Sequence, residues 1–160
     1  MRVATFAEIE AEFVERAHRS VWCAAATVDA RGRPTNRLLH PLWEGPVGWI
    51  TTYRDSPKAA HLARVPYLAL AYVADVVRPA YADCHAGWVD DPGERRRVWE
   101  LFRATAPPLG FDPAPIYGSP EHPRFGLLRL TPWRIRLADT TARDHYRIWQ
   151  ADHGRDDPAS

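Results

Sequence analysis

Lysine is nearly missing from this chain. Of 21 basic residues, 20 are arginine, and Lys58 alone is lysine. Arginine offers a planar fork and lysine a compact point charge, so a single retained lysine invites a specific explanation. Cysteine is scarce too. Cys23 and Cys84 are the only two, and neither stands in a Cys-x-x-Cys pair. A structural zinc site is not expected. Both sit in apolar stretches, as buried small hydrophobes do. Charge of one sign is also absent, the formal net charge being +1. No concentrated basic face for nucleic acid or membrane surfaces is implied. No apolar run approaches the roughly 20 residues that span a bilayer. Met1 to Thr5 lacks a signal-peptide apolar core, so the cytoplasm is the expected location.

What remains is an ordinary globular composition, 46% hydrophobic and 26% charged over 160 residues. That length suits one domain, expected over 1–153, with 154–160 a flexible polar tail. Thr5-Phe6-Ala7-Glu8 has the capping-box pattern, and Ile9, Phe13, Val14 and Ala17 recur at helical spacing. A helix over 6–19 follows. Val21–Val28 and Thr35–Trp43 flank the turn signal Asp29-Ala30-Arg31-Gly32, which predicts a hairpin. Val47–Tyr53 is the third strand. Ser56-Pro57-Lys58 opens a short helix reaching Arg64. Tyr67–Val77 and Arg78–Val89 read as strands. A helix follows Asp91-Pro92-Gly93-Glu94. Six of 15 prolines fall in 107–123, an ordered but irregular excursion. Phe125–Leu137 is the last strand, interrupted by Pro132. Strands joined by short turns predict a closed antiparallel barrel with helices outside.

Two segments carry candidate chemistry. In Thr51-Thr52-Tyr53-Arg54-Asp55-Ser56-Pro57-Lys58, a cation stands at a helix N-terminus, where the dipole disfavours it. A bound phosphate would reverse that sign, taking bonds from backbone N–H groups, the Ser56 hydroxyl and the Lys58 ammonium. The plain alternative is a capping serine and a solvated lysine. In Asn36-Arg37-Leu38-Leu39-His40, Arg37 faces opposite to Leu38 and could hold a phosphate by two bonds. The alternative is an exposed edge charge. His40 could lie near a bound ring or be an ordinary hydrogen-bonded strand residue. Trp88 could stack on a flat ligand. Asp83 and His85 share a face without Cys84, so no metal site is expected.

In combination, Arg37-Leu38-Leu39 on the second strand, Thr51-Thr52 ending the third, then Ser56-x-Lys58-x-x-x-Leu62 and an apolar strand resemble the pyridoxamine 5′-phosphate oxidase-like family. The resemblance covers roughly 6–90 and, more loosely, 125–137. It implies a mainly β fold with flanking helices, the FMN-binding split β-barrel, antiparallel and Greek-key-like. It implies that Arg37 and Lys58 are phosphate-binding cations and Ser56 a phosphate-contacting hydroxyl. Leu38 and Leu39 would run beside the isoalloxazine ring, and Thr51 and Thr52 would touch the ribityl chain or ring edge. FMN is the expected cofactor, with a deazaflavin coenzyme as the alternative. The family is usually homodimeric, with cofactor at the interface and Tyr81–Trp88 near the partner's cofactor. The expected function is a flavin-dependent oxidoreductase acting on a small molecule. The other readings are a deazaflavin-dependent reductase and a non-catalytic flavin carrier or sensor. No catalytic residue is named. True pyridoxamine phosphate oxidases have Ser-Arg-Lys where this chain has Ser56-Pro57-Lys58. Their late Arg-Leu-His motif is missing, so vitamin B6 oxidation is not implied.

Overall fold

A computed structural model describes residues 1–151. The tail expected over 154–160 lies outside the described residues. Thr5 and Glu8 do meet, the Glu8 carboxylate accepting from the backbone N–H of Ala4 and Thr5. They close a short 3-10 turn, Phe6–Glu8, and the helix proper, α1, runs Glu10–Ser20.

The strands are β1 (Cys23–Val28), β2 (Pro34–Leu39), β3 (Leu42–Glu44), β4 (Val47–Tyr53), β5 (Tyr67–Tyr72), β6 (Ala80–Trp88), β7 (Phe125–Ala138) and β8 (Tyr146–Gln150). Helices α2 (Pro57–Arg64), α3 (Pro92–Ala104) and the single-turn α4 (Ala114–Tyr117) complete the chain. The strands form one antiparallel sheet in the order β2-β1-β5-β6-β7-β4-β3, with β8 added on β7. Its two ends, β2 and β3, are consecutive in sequence but do not pair. The barrel is therefore split rather than closed.

Several expected elements shift for local reasons. Thr35–Trp43 is two strands, because Pro41 brings no N–H and constrains His40. The break at His40-Pro41 is the split itself. Tyr67–Val77 and Arg78–Val89 shorten to β5 and β6. Pro132, by contrast, does not interrupt β7. It lies opposite Cys84 at a register shift, where a bulge absorbs the missing donor. Strand β8 was not expected at all. Its pairing with β7 is long-range, and none of its residues is fully buried.

The core fills the curl of the sheet. Phe13 of α1 is fully buried and meets Trp43 edge-on at 4.7 Å. Trp43 donates its indole N–H to the Tyr72 hydroxyl at 2.7 Å. A second cluster lies on the other face of β4 and β7, where Trp49, Phe125 and Leu127 pack against Val98, Trp99 and Phe102 of α3. Helix α3 begins where Asp91 accepts from the Glu94 N–H at 2.7 Å. Among the described residues, no helix is long and apolar enough to cross a membrane.

Candidate functional site

The site grows out of the β1–β2 hairpin. Asp29 accepts from the N–H groups of Arg31 and Arg33 at 2.8 and 2.9 Å, and Gly32 supplies φ = 76°. That turn sets the register, which places Arg37 opposite Ala25 and Leu38 opposite Ala24. Alternation then sends neighbouring side chains to opposite faces. Leu39 packs against the barrel core, and Leu38 stays 68% exposed.

Arg37 stands on the end strand β2 but is not fully exposed. It is half-buried, and it donates Nη1 to the Thr27 hydroxyl at 2.7 Å and to the Ala25 carbonyl at 3.3 Å. Thr27 in turn shares a 2.9 Å hydrogen bond with His61 Nδ1 on α2.

Helix α2 brings the second cation. Ser56 stands at its N-cap and Pro57 at its first position. The Ser56 hydroxyl does not cap the backbone; it accepts from Lys58 Nζ at 3.3 Å. Burial pushes the Lys58 ammonium below its usual pKa, and the Arg37 charge pushes it further the same way. Burial lowers Arg37 as well. Among the described residues, no carboxylate forms an ion pair with either. Two partly desolvated cations thus sense each other beside a helix N-terminus, with no anion to offset them.

Next to them lies a hollow of about 500 Å³. It opens between β2 and β4. Leu38, Leu39 and His40 form one wall, Ile50–Tyr53 another, and Lys58 sits on its margin. The third wall comes from the proline-rich excursion through Phe111, Ile116 and Tyr117. Tyr117 donates weakly to the Thr51 hydroxyl at 3.4 Å, and Tyr53 donates to the Ile116 carbonyl at 3.0 Å. Those bonds dock the excursion on β4. Thr52 is buried and Thr51 half-buried.

Of the seven residues singled out in the sequence, Leu38, Leu39, Thr51, Thr52 and Lys58 line this cavity. Ser56 and Arg37 join through Lys58 rather than through the cavity wall. Trp88 does not face it. Arg54, itself ion-paired to Asp90, covers the Trp88 ring at 4.5 Å. Trp22 and the aromatic residues of the excursion were not anticipated as lining. Nothing local marks them, since the excursion reaches the cavity only through tertiary packing.

The arrangement fits a flat, mostly apolar ligand carrying one anionic group. Two observations speak for that fit. The cation pair lacks a counter-charge, and His40 Nε2, in the wall, is buried with no hydrogen-bond partner.

No family model and no curated sequence matches the chain. Solved structures do match in fold. A protein from Clostridium acetobutylicum, described as related to general stress protein 26 and of the pyridoxine phosphate oxidase family, superposes with TM-score 0.70 at 13% identity, covering 91% of this chain and 96% of its own. A pyridoxamine 5′-phosphate oxidase-related, FMN-binding protein from Nostoc punctiforme gives 0.64 at 16% identity, covering 90% and 88%. A heme-binding protein from Mycobacterium smegmatis gives 0.66 at 15%, covering 93% of this chain and 63% of its own. The fold is that of the pyridoxamine 5′-phosphate oxidase-like split barrels.

Proposed function

We propose that the protein is an FMN-binding flavoprotein that acts as an oxidoreductase on a small molecule. The observation that carries this reading is the uncompensated pair Arg37 and Lys58, of which Lys58 lines the apolar cavity. A terminal phosphate would turn two unfavourable desolvated charges into charge-assisted hydrogen bonds. A single phosphate suits a single two-cation grip, which favours FMN over a longer-tailed deazaflavin coenzyme.

Bound flavin supplies two-electron redox chemistry that no side chain here offers. The chain's own residues would bind and orient it. Arg37, Ser56 and Lys58 would hold the phosphate. Leu38 and Leu39 would lie along the ring, with Thr51 and Thr52 toward the ribityl chain or ring edge. Phe111, Ile116 and Tyr117 would keep water from the opposite side.

The dimer belongs to the same proposal. Leu38 and Trp22 are 68% and 54% exposed beside the cavity mouth. Large apolar side chains left open at a ligand site favour cover by a second copy.

The test is a titration of purified protein with FMN, riboflavin, a deazaflavin coenzyme and hemin. Tight FMN binding, weaker riboflavin binding, and bleaching by NADH or NADPH with recovery on adding an acceptor are expected. Hemin binding in place of FMN would replace the flavin reading, and FMN binding without turnover would make the protein a carrier or sensor.

A further inference from the structure

Thr27 is a polar residue inside the barrel wall, only 2% exposed. It stands on β1, and Arg37 lies diagonally across the hairpin on β2, opposite Ala25. A threonine hydroxyl has one hydrogen and two lone pairs, so burial obliges it to find partners. It finds two. The hydroxyl accepts from Arg37 Nη1 at 2.7 Å, and it shares a 2.9 Å hydrogen bond with His61 Nδ1.

Those partners belong to the two elements that carry the cations. Arg37 is on β2. His61 is on α2, three residues after Lys58 and so on the same side of that helix. Helix α2 packs chiefly on β1, which places Thr27 between the two positive charges. Like charges repel, so their spacing needs a fixed strut. The same bond decides which edge of the guanidinium is left over. Nη1 is taken by the Thr27 hydroxyl and the Ala25 carbonyl. Nε and Nη2 bond to nothing among the described residues, and neither is closed off from solvent. They form one edge of the planar fork and donate in parallel, the arrangement that takes two oxygens of one anion.

We propose that Thr27 is the positioning residue of the phosphate site: its hydroxyl, bonded to Arg37 on one side and to His61 on the other, fixes the spacing of Arg37 and Lys58 and presents the Nε–Nη2 edge to the anion. The inference rests on the flavin reading and adds to it a residue that touches no ligand. Thr27 acts on Arg37 directly and on Lys58 through α2. Valine has the shape of threonine without the hydroxyl. Thr27→Val leaves Arg37 held only by its 3.3 Å bond to the Ala25 carbonyl and unties α2 from the hairpin. Serine keeps both bonds and loses one methyl group.

The experiment titrates the wild type, Thr27→Val, Thr27→Ser and His61→Leu with FMN and with riboflavin, which lacks the phosphate. Thr27→Val is expected to bind FMN about three- to tenfold more weakly, the range of a net hydrogen bond, with riboflavin unchanged. Thr27→Ser is expected to bind both as the wild type does. His61→Leu cuts the bridge from the half-buried α2 side, so the test holds even where Thr27→Val fails to fold. It is expected to lose about two- to fivefold for FMN alone. Adding Thr27→Val to Arg37→Ala should cost less than adding it to the wild type, because the group it acts through is gone. The bridge is overturned, and the flavin reading stands, if Thr27→Val or His61→Leu binds FMN as tightly as the wild type or loses both flavins equally. It is overturned too if Thr27→Ser is as weak as Thr27→Val, or if the loss is undiminished without Arg37. If the wild type binds FMN no better than riboflavin, the phosphate site itself falls and this inference with it.

Discussion

Lys58 reaches back across the first turn of α2 to donate to Ser56 at 3.3 Å, while Arg37 on β2 presses on the same ammonium by like charge. The serine hydroxyl, the ammonium and the guanidinium come from two elements that meet only because the barrel curls. Replacing either cation with alanine should weaken FMN binding by about 1.5–3 kcal/mol, the range for hydrogen bonds to charged groups. Riboflavin, which lacks the phosphate, should bind the variants and the wild type alike. Fluorescence titration of both ligands reads this directly. Unchanged FMN affinity in both variants would leave the phosphate site without support.

Without ligand, the same lysine is a burden. Its charge is half-buried, and its pKa is pushed down first by desolvation and then by Arg37. Lys58→Met keeps the aliphatic stem and removes the charge. The ligand-free protein should then gain roughly 0.5 kcal/mol, a modest figure because solvent still screens much of the group. That corresponds to a rise in Tm of about 1–2 °C at this chain length. Added FMN should stabilise the wild type much more than the variant. A Tm that falls in the ligand-free variant would show that Lys58 is a structural residue instead.

The cluster of Arg37, Ser56 and Lys58 was legible in the sequence because its parts are local. A serine, a proline and a lysine at a helix start, and an arginine on a strand after a clear turn, each follow short-range rules. The cavity was not legible in the same way. Phe111, Ile116 and Tyr117 reach it from a segment whose six prolines obey neither helical nor strand periodicity. The split was not visible: Thr35–Trp43 reads as one strand, although Pro41 stands within it. His40 could be read as lying near a bound ring or as an ordinary hydrogen-bonded strand residue. The structure places it in the cavity wall beside Trp22, Phe102 and Phe111.

Acid should loosen the fold. His18 Nε2 accepts from the Trp43 N–H at 3.1 Å, so that nitrogen must be unprotonated. Burial holds its pKa below the ordinary 6.5. His40 is lowered by burial too. The unfolded chain therefore takes up these protons first as pH falls below 6.5. Stability should be fully present above that pH and decline beneath it, by on the order of 1 kcal/mol or less per histidine after solvent screening. Urea midpoints between pH 7.5 and 5.5 measure it. His18→Gln can still accept from Trp43 but cannot charge, so it should flatten part of the decline. An identical slope in that variant would exclude His18 as a cause.

Gly110 connects the stability of α3 to the shape of the cavity. A Cβ built there would meet the Thr105 carbonyl oxygen at 1.7 Å, its carbon at 2.4 Å and the Phe102 oxygen at 2.7 Å. All three are backbone atoms at the end of a packed helix, so they cannot swing aside. The approach is close because Gly110 donates to the Ala106 carbonyl and Phe111 donates to the Phe102 carbonyl, each at 3.0 Å. Those bonds fold the excursion back onto α3 and set Phe111 in the cavity wall. Gly110→Ala must push the chain outward, at a cost of about 1–3 kcal/mol typical of overpacking. The variant should thus lose Tm by about 2–10 °C and bind FMN more weakly, although residue 110 lines no part of the cavity and touches neither cation. Loss of stability with FMN affinity intact would show that the excursion is a brace for α3 alone and does not shape the ligand site.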